Sequence, residues 1–105
     1  MSESLLLVLS NAVDGRDDEF NAWYESTHIP ELLTVPGVVG AERYTVASLD
    51  GPEPAHRYLA VYRLDGDPAD VLAEFRRRAS TGEMTMSDTL DLTTVAVSAW
   101  QPSEP

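Results

Sequence analysis

His28 has the widest chemical range of any side chain in this sequence. An imidazole with an ordinary pKa of about 6.5 both takes and gives a proton near neutral pH. Phe20, Trp23, Tyr24, Thr27, His28 and Glu31 recur at three-and-four spacing, which lays them on or beside one face of a helix. Sharing that face with Phe20 and Tyr24, His28 is expected to look inward. The plain alternative is a helix-end histidine that binds a carbonyl freed by Pro30 or complements the helix dipole. Tyr44, Tyr58 and Tyr62 are phenols on adjacent strand-like segments, the last two on one face by the period of two. A buried phenol wants a hydrogen-bond partner, and a substrate carbonyl or enolate oxygen would serve. Sheet packing is the alternative for each of them. An inward imidazole beside one such hydroxyl would suit proton transfer next to a carbonyl.

The surrounding residues divide between binding and structure. Phe20, Trp23 and Tyr24 are candidates to wall a pocket and stack on an aromatic ligand, or to fill a core. Arg43 can anchor a substrate carboxylate through two parallel bonds, or pair with Glu31, Glu42 or a partner subunit. Glu25 and Glu31 flank His28 at i−3 and i+3, where either can orient the ring or raise its pKa; surface carboxylates are the commoner outcome. His56, at a strand start, is expected near solvent. Asp17-Asp18-Glu19 reads as a helix start and not as a metal site. Arg76-Arg77-Arg78 reads as a solvated helix end.

Composition removes whole classes of chemistry. The chain has 105 residues, 43% of them apolar and 24% charged, as expected of one globular domain. Seven basic and eighteen acidic residues give a formal charge of −11. Such a balance repels phosphate backbones and anionic lipid, so neither nucleic acid nor a membrane is an expected partner. Every basic residue is Arg. Without Lys there is no Schiff-base chemistry, and without Cys there are no thiol nucleophiles, disulfides or thiolate metal sites. With two His, a His-rich metal site is not expected. No stretch approaches the roughly 20 apolar residues of a spanning helix. Met1-Ser2-Glu3-Ser4 offers no basic region ahead of Leu5–Leu9, so no leader is expected and the cytoplasm is the default.

These residues need elements to hold them. Leu5–Leu9 is a short apolar run, expected to be a strand buried on both faces. Asp14-Gly15 turns the chain, Asp17 is placed to cap the first helix, and Pro30 should kink or stop it. Val38–Leu49 reads as a strand, with Val39, Ala41, Arg43, Thr45 and Ala47 on one face. Val38, Gly40, Glu42, Tyr44 and Val46 take the other. His56–Leu64 follows as a strand with His56, Tyr58, Ala60, Tyr62 and Leu64 together. Asp67 caps a second helix with Pro68 at its first position; Val71, Leu72, Phe75 and Ala79 form its apolar stripe. Ser80–Ser87 is an irregular connection and Thr89–Ala99 the last strand. Residues 1–100 thus make one domain, and 101–105 a frayed tail.

The order strand, helix, strand, strand, helix, strand is the α+β, ferredoxin-like βαββαβ arrangement. Its four-stranded antiparallel sheet carries both helices on one face. The strands place apolar residues on the second face too, so a homodimer packed sheet to sheet is expected.

Trp23-Tyr24, His28-Ile29-Pro30, Pro36-Gly37 and Arg43-Tyr44 form a string that resembles the dimeric α/β-barrel superfamily, within it the EthD-like and related small bacterial proteins. The resemblance covers the first helix and second strand; the rest agrees in element order and length. It implies a dimer with a small pocket between sheet and helices, into which His28 points. The superfamily includes isomerases, cyclases, decarboxylases, cofactor-free oxygenases and haem-degrading enzymes. Haem-degrading members look for a His on the second helix, which here has none. Two functions follow as expectations. One is a cofactor-independent enzyme, of isomerase, cyclase, dehydratase or decarboxylase type, on a polyketide-like or aromatic-catabolite compound. There His28 moves the proton and Tyr44, Tyr58 or Tyr62 steadies the oxygen. The other is a non-catalytic dimeric module that binds a hydrophobic metabolite, with a haem or cofactor-free monooxygenase as a third possibility.

Overall fold

The computed structural model describes residues 3–103. Four strands form one antiparallel sheet: β1 (Ser4–Ala12), β2 (Val38–Thr45), β3 (Tyr58–Leu64) and β4 (Leu90–Trp100), in the spatial order β2-β3-β1-β4. Between β1 and β2 runs a helical arm made of α1 (Asp17–Trp23), a π-helical turn (Tyr24–His28) and α2 (Ile29–Leu32). Between β3 and β4 lies α3 (Pro68–Thr81). This is the expected α+β, ferredoxin-like architecture. Met1 and Ser2, where a leader was sought, lie outside the described residues, as do Glu104 and Pro105 of the tail. Gln101–Ser103 are exposed and follow the last strand.

Pairing fixes the faces. Leu6 stands opposite Tyr62 and Ala99, and Tyr62 opposite Ala41. Leu6, Tyr62, Leu64 and Ala60 are buried under the helices, where Phe20, Tyr24, Leu32, Val71 and Phe75 complete the core. The other face carries Leu5, Leu7, Leu9, Leu59 and Val61, all half-buried. On it Arg63 and Glu42 pair at 3.0 Å, the guanidinium lying against Gly40, where a Cβ would strike it. β1 therefore alternates: Leu6 is closed off by the helices, while its neighbours face the open side.

Several expected boundaries move. β2 ends at Thr45 and not at Leu49, and β3 begins at Tyr58 and not at His56. Pro52 and Pro54 in the connection have no amide to give a ladder; one further bond, from Val46 N–H to the Arg57 carbonyl, closes the pair. A bulge between Val38 and Gly40 turns Val38 into the core and exposes Val39, reversing the expected faces at that end. Asp17 is the first helical residue and not the cap; its carboxylate instead accepts from the Tyr58 hydroxyl at 2.6 Å and from Arg57. Asp67 does cap α3, accepting from Ala69 N–H at 2.9 Å. Gly82, at φ +81°, ends α3 in the left-handed conformation that glycine adopts without strain. No helix among the described residues is long and apolar enough to cross a membrane.

Candidate active site

The helical arm does not stop at Pro30. It widens just before it. In a regular α-helix the Pro30 ring would strike the carbonyl of residue 26. Here that carbonyl lies inside a π turn, in which Ile29 N–H bonds the Tyr24 carbonyl five residues back. Ser26 Oγ also donates to the Ala22 carbonyl at 2.6 Å, a side-chain bond of the kind that bends helices. The expanded turn has a direct effect on geometry. Residues five apart sit about 140° apart around an α-helix, yet Trp23 and His28 stack here, ring centres 4.4 Å apart and planes 25° from parallel. Tyr24 meets His28 edge-on at 4.8 Å.

His28 is thereby pressed inward. It is buried, and its Nδ1 has no hydrogen-bond partner. Loss of hydration disfavours the imidazolium and draws the pKa down to about 4; the nearby Arg43 charge adds to that, and Glu31 opposes it. At neutral pH the ring is uncharged. The hydroxyls of Tyr24 and Tyr62 lie 3.2 Å apart and are both buried. Burial pushes both phenols above their usual pKa, so each keeps its proton.

His28, Tyr24 and Tyr62 share the wall of a cavity of about 230 Å³ between the sheet and both helices. Its remaining lining is almost wholly apolar, with Val8 and Ser10 from β1, Leu72 and Phe75 from α3, and Val95 and Val97 from β4. Met84 and Met86 reach it from the connection at residues 82–89, a strap that forms part of its wall. Thr85 pins that strap to the helical arm. Its carbonyl accepts from Trp23 Nε1–H at 2.9 Å, and its amide and hydroxyl donate to Glu31 at 2.8 and 3.1 Å.

Of the eight residues expected at the site, three meet: His28, Tyr24 and Tyr62. Tyr44 does not. It pairs with Leu59 on the open face and is 54% exposed, because the sheet register turns it away from the helices. Tyr58 faces the helices, but its hydroxyl is held by Asp17 and it does not reach the cavity. Phe20 is fully buried behind Tyr24, and Trp23 lies behind His28, so both back the wall without lining it. Arg43 also stays outside the cavity. It rests on the Tyr24 ring at 4.3 Å, donates to Asn21 at 2.9 Å and lies 3.7 Å from Glu25. His56 Nε2–H donates to the Thr94 carbonyl at 2.8 Å, far from these groups in the fold. The sequence reading missed Ser10, the strap methionines and the β4 wall. Two methionines two apart in an otherwise polar connection were the available signal. Among the described residues no cluster of His, Asp or Glu is arranged to hold a metal.

No protein-family profile matches the chain, and no curated protein matches it. Solved structures do. An EthD family protein from Bacillus halodurans superposes with a TM-score of 0.66 at 15% identity, covering 98% of this chain and 100% of that one. A provisionally assigned monooxygenase from Shewanella loihica gives 0.66 at 12% identity, covering 100% and 99%. An EthD-like protein from Ralstonia eutropha gives 0.59 at 12% identity, covering 94% and 90%. The likeness extends over the whole architecture and is one of fold. It agrees with the resemblance carried by Trp23-Tyr24 and His28-Ile29-Pro30.

Proposed function

We infer that this protein is a cytoplasmic, homodimeric small-molecule enzyme that moves a proton next to a carbonyl, using its own side chains alone. The observation that carries this reading is the uncharged, buried His28, its Nδ1 unpartnered, in the wall of an apolar cavity that two protonated phenols also reach. In the reaction a carbon–hydrogen bond of the substrate breaks and its proton passes to the imidazole. The electron pair moves onto the neighbouring carbonyl oxygen, which accepts a hydrogen bond from the Tyr62 hydroxyl. Return of the proton at another carbon isomerises the compound. In dehydration the enolate expels a β-hydroxyl group, which leaves as water with the proton taken from the imidazolium; in decarboxylation the carbon–carboxylate bond breaks in place of the carbon–hydrogen bond, carbon dioxide leaves, and the resulting enolate takes a proton at carbon.

The low basicity of His28 narrows the substrate. Each pKa unit between the carbon acid and the imidazole adds about 1.4 kcal/mol to the transfer. A base held near 4 therefore needs a carbon already acidified, for instance by two flanking carbonyls. Polyketide-like compounds and aromatic catabolites have such carbons. A cofactor-free oxygenation would begin with the same abstraction, and one structural neighbour carries a monooxygenase description.

Hydrogen–deuterium exchange at the acidic carbon of aryl-substituted keto esters, followed by proton NMR, tests this. The protein should accelerate exchange over buffer. His28→Gln should slow it by about a hundred- to ten-thousand-fold, and Tyr62→Phe by about a hundredfold. The same low basicity favours a second reading, a binding module in which His28 only accepts a hydrogen bond. Probe binding with no exchange above buffer would establish that one and remove the enzyme.

A further inference from the structure

α3 presents Leu72, Phe75, Arg76 and Ala79 to the cavity, the i, i+3, i+4, i+7 stripe by which a helix faces a core. Three of the four are apolar, and the third position is a cation. Arg76 is exposed near the end of α3, as expected of a solvated helix end, but unlike Arg77 and Arg78 it also lines the cavity. Arg77 pairs with Glu74 and Glu83, and Arg78 with Glu74. The remaining arginines are also engaged: Arg16 with Glu19 and Asp88, Arg43 with Glu25, Arg57 with Asp17, Arg63 with Glu42. Among the described residues Arg76 is the one arginine whose side chain has neither an ion pair nor a hydrogen bond, in a chain where acids outnumber bases eighteen to seven. No carboxylate lines the cavity. The arginine is exposed while its fellow lining residues Tyr62, Leu32 and Phe75 are buried, which sets it at the solvent side of the cavity.

We propose that Arg76 is the specificity-determining residue of this cavity, and that its ligand is a small ring compound bearing a carboxylate. The acid is held at the rim by the guanidinium, and the apolar body lies inward toward His28 and Tyr62. The cavity, at about 230 Å³, falls below the range of roughly 300–1,000 Å³ that drug-sized ligands occupy. It suits a body of one or two rings. The overall negative charge does not forbid an anion, since surface charges beyond about 8 Å are largely screened at physiological salt, and Arg76 is the charged residue in the cavity lining. The proposal rests on the reading that the cavity is the site of small-molecule binding; it adds the charge of what enters.

2-Naphthoate and 2-naphthamide have one ring system and nearly one shape, and differ in charge at pH 7. Titration of each into nitrogen-15-labelled protein, read by chemical shifts and Trp fluorescence, gives the two dissociation constants. The carboxylate should bind about five- to tenfold more tightly than the amide, as suits a solvent-accessible charge-assisted contact. Arg76→Gln should bring that ratio to about one; Arg76→Lys should keep part of the preference. A ratio of one in the wild-type protein, or a preference surviving in Arg76→Gln, overturns the proposal. If the amide still shifts the resonances of His28 and Tyr62 in that event, the cavity reading stands without the anion. If neither compound shifts them, both readings fall together.

Discussion

At the scale of single residues, burial of His28 makes a prediction about acid. In the unfolded chain the imidazole titrates near 6.5, and in the folded protein near 4. Between those values the unfolded state takes up a proton that the folded state refuses. The folded protein should therefore lose stability as the pH falls through this window, by about 3 kcal/mol in full, with nothing lost from this group above it. Glu74, held down to about 2 by Arg77 and Arg78, contributes its own loss only below its ordinary value of 4.5. Urea unfolding at about pH 7, 5.5 and 4.5 should show the fall in the wild-type protein and a flatter course in His28→Gln. A catalytic profile would follow the same logic: kcat/KM should be level from about pH 5.5 upward, with no inflection near the ordinary histidine value. His28 and Tyr62 were legible in the sequence because helix and strand periods already turn them inward. The exclusion of Tyr44 was not, since it depends on which face of β2 the register presents, and a bulge near Gly40 intervenes.

At the scale of elements, the helical arm shows what a period hides. Apolar spacing located the helix, and Pro30 announced a disturbance, but the disturbance proved to be a wide turn within a continuing helix. A π turn leaves no composition signal of its own; it is frequent at functional sites. Pro30→Ala supplies an amide able to bond the Ser26 carbonyl, and is expected to let the arm tighten toward regular α geometry. The Trp23–His28 stack should then part, and the His28 pKa rise toward 6.5. NMR titration of its ring protons measures this, and an unmoved titration would show that the wide turn does not depend on the proline. The strap was equally opaque, because residues 82–89 have no period to read. Its start is set by Gly82, where alanine meets no atom within 4 Å but must adopt φ +81°. Gly82→Ala should cost about 1 kcal/mol by thermal or urea unfolding.

At the scale of the whole molecule, the order of elements and the alternation within β1 and β3 were enough to specify the sheet and its connections. They also left an apolar face on the side of the sheet away from the helices. Leu7 stands opposite Val61 and Ser98, in the middle of that face. If a second copy covers it, Leu7→Glu should yield a monomer by sedimentation equilibrium at concentrations where the wild-type chain is a dimer. A wild-type monomer would remove the dimer and leave the cavity, which lies on the other side of the sheet.

The indole of Trp23 serves two neighbours at once. Its face rests on the imidazole of His28, and its edge grips the carbonyl of Thr85. A strap displaced from this position would lose its bond to the indole edge, and with it one hold on the ring that covers the imidazole. The seating of the strap and the burial of the imidazole are thus tied to one side chain. Its fluorescence, set against that of the remote Trp100, would register both movements without a label.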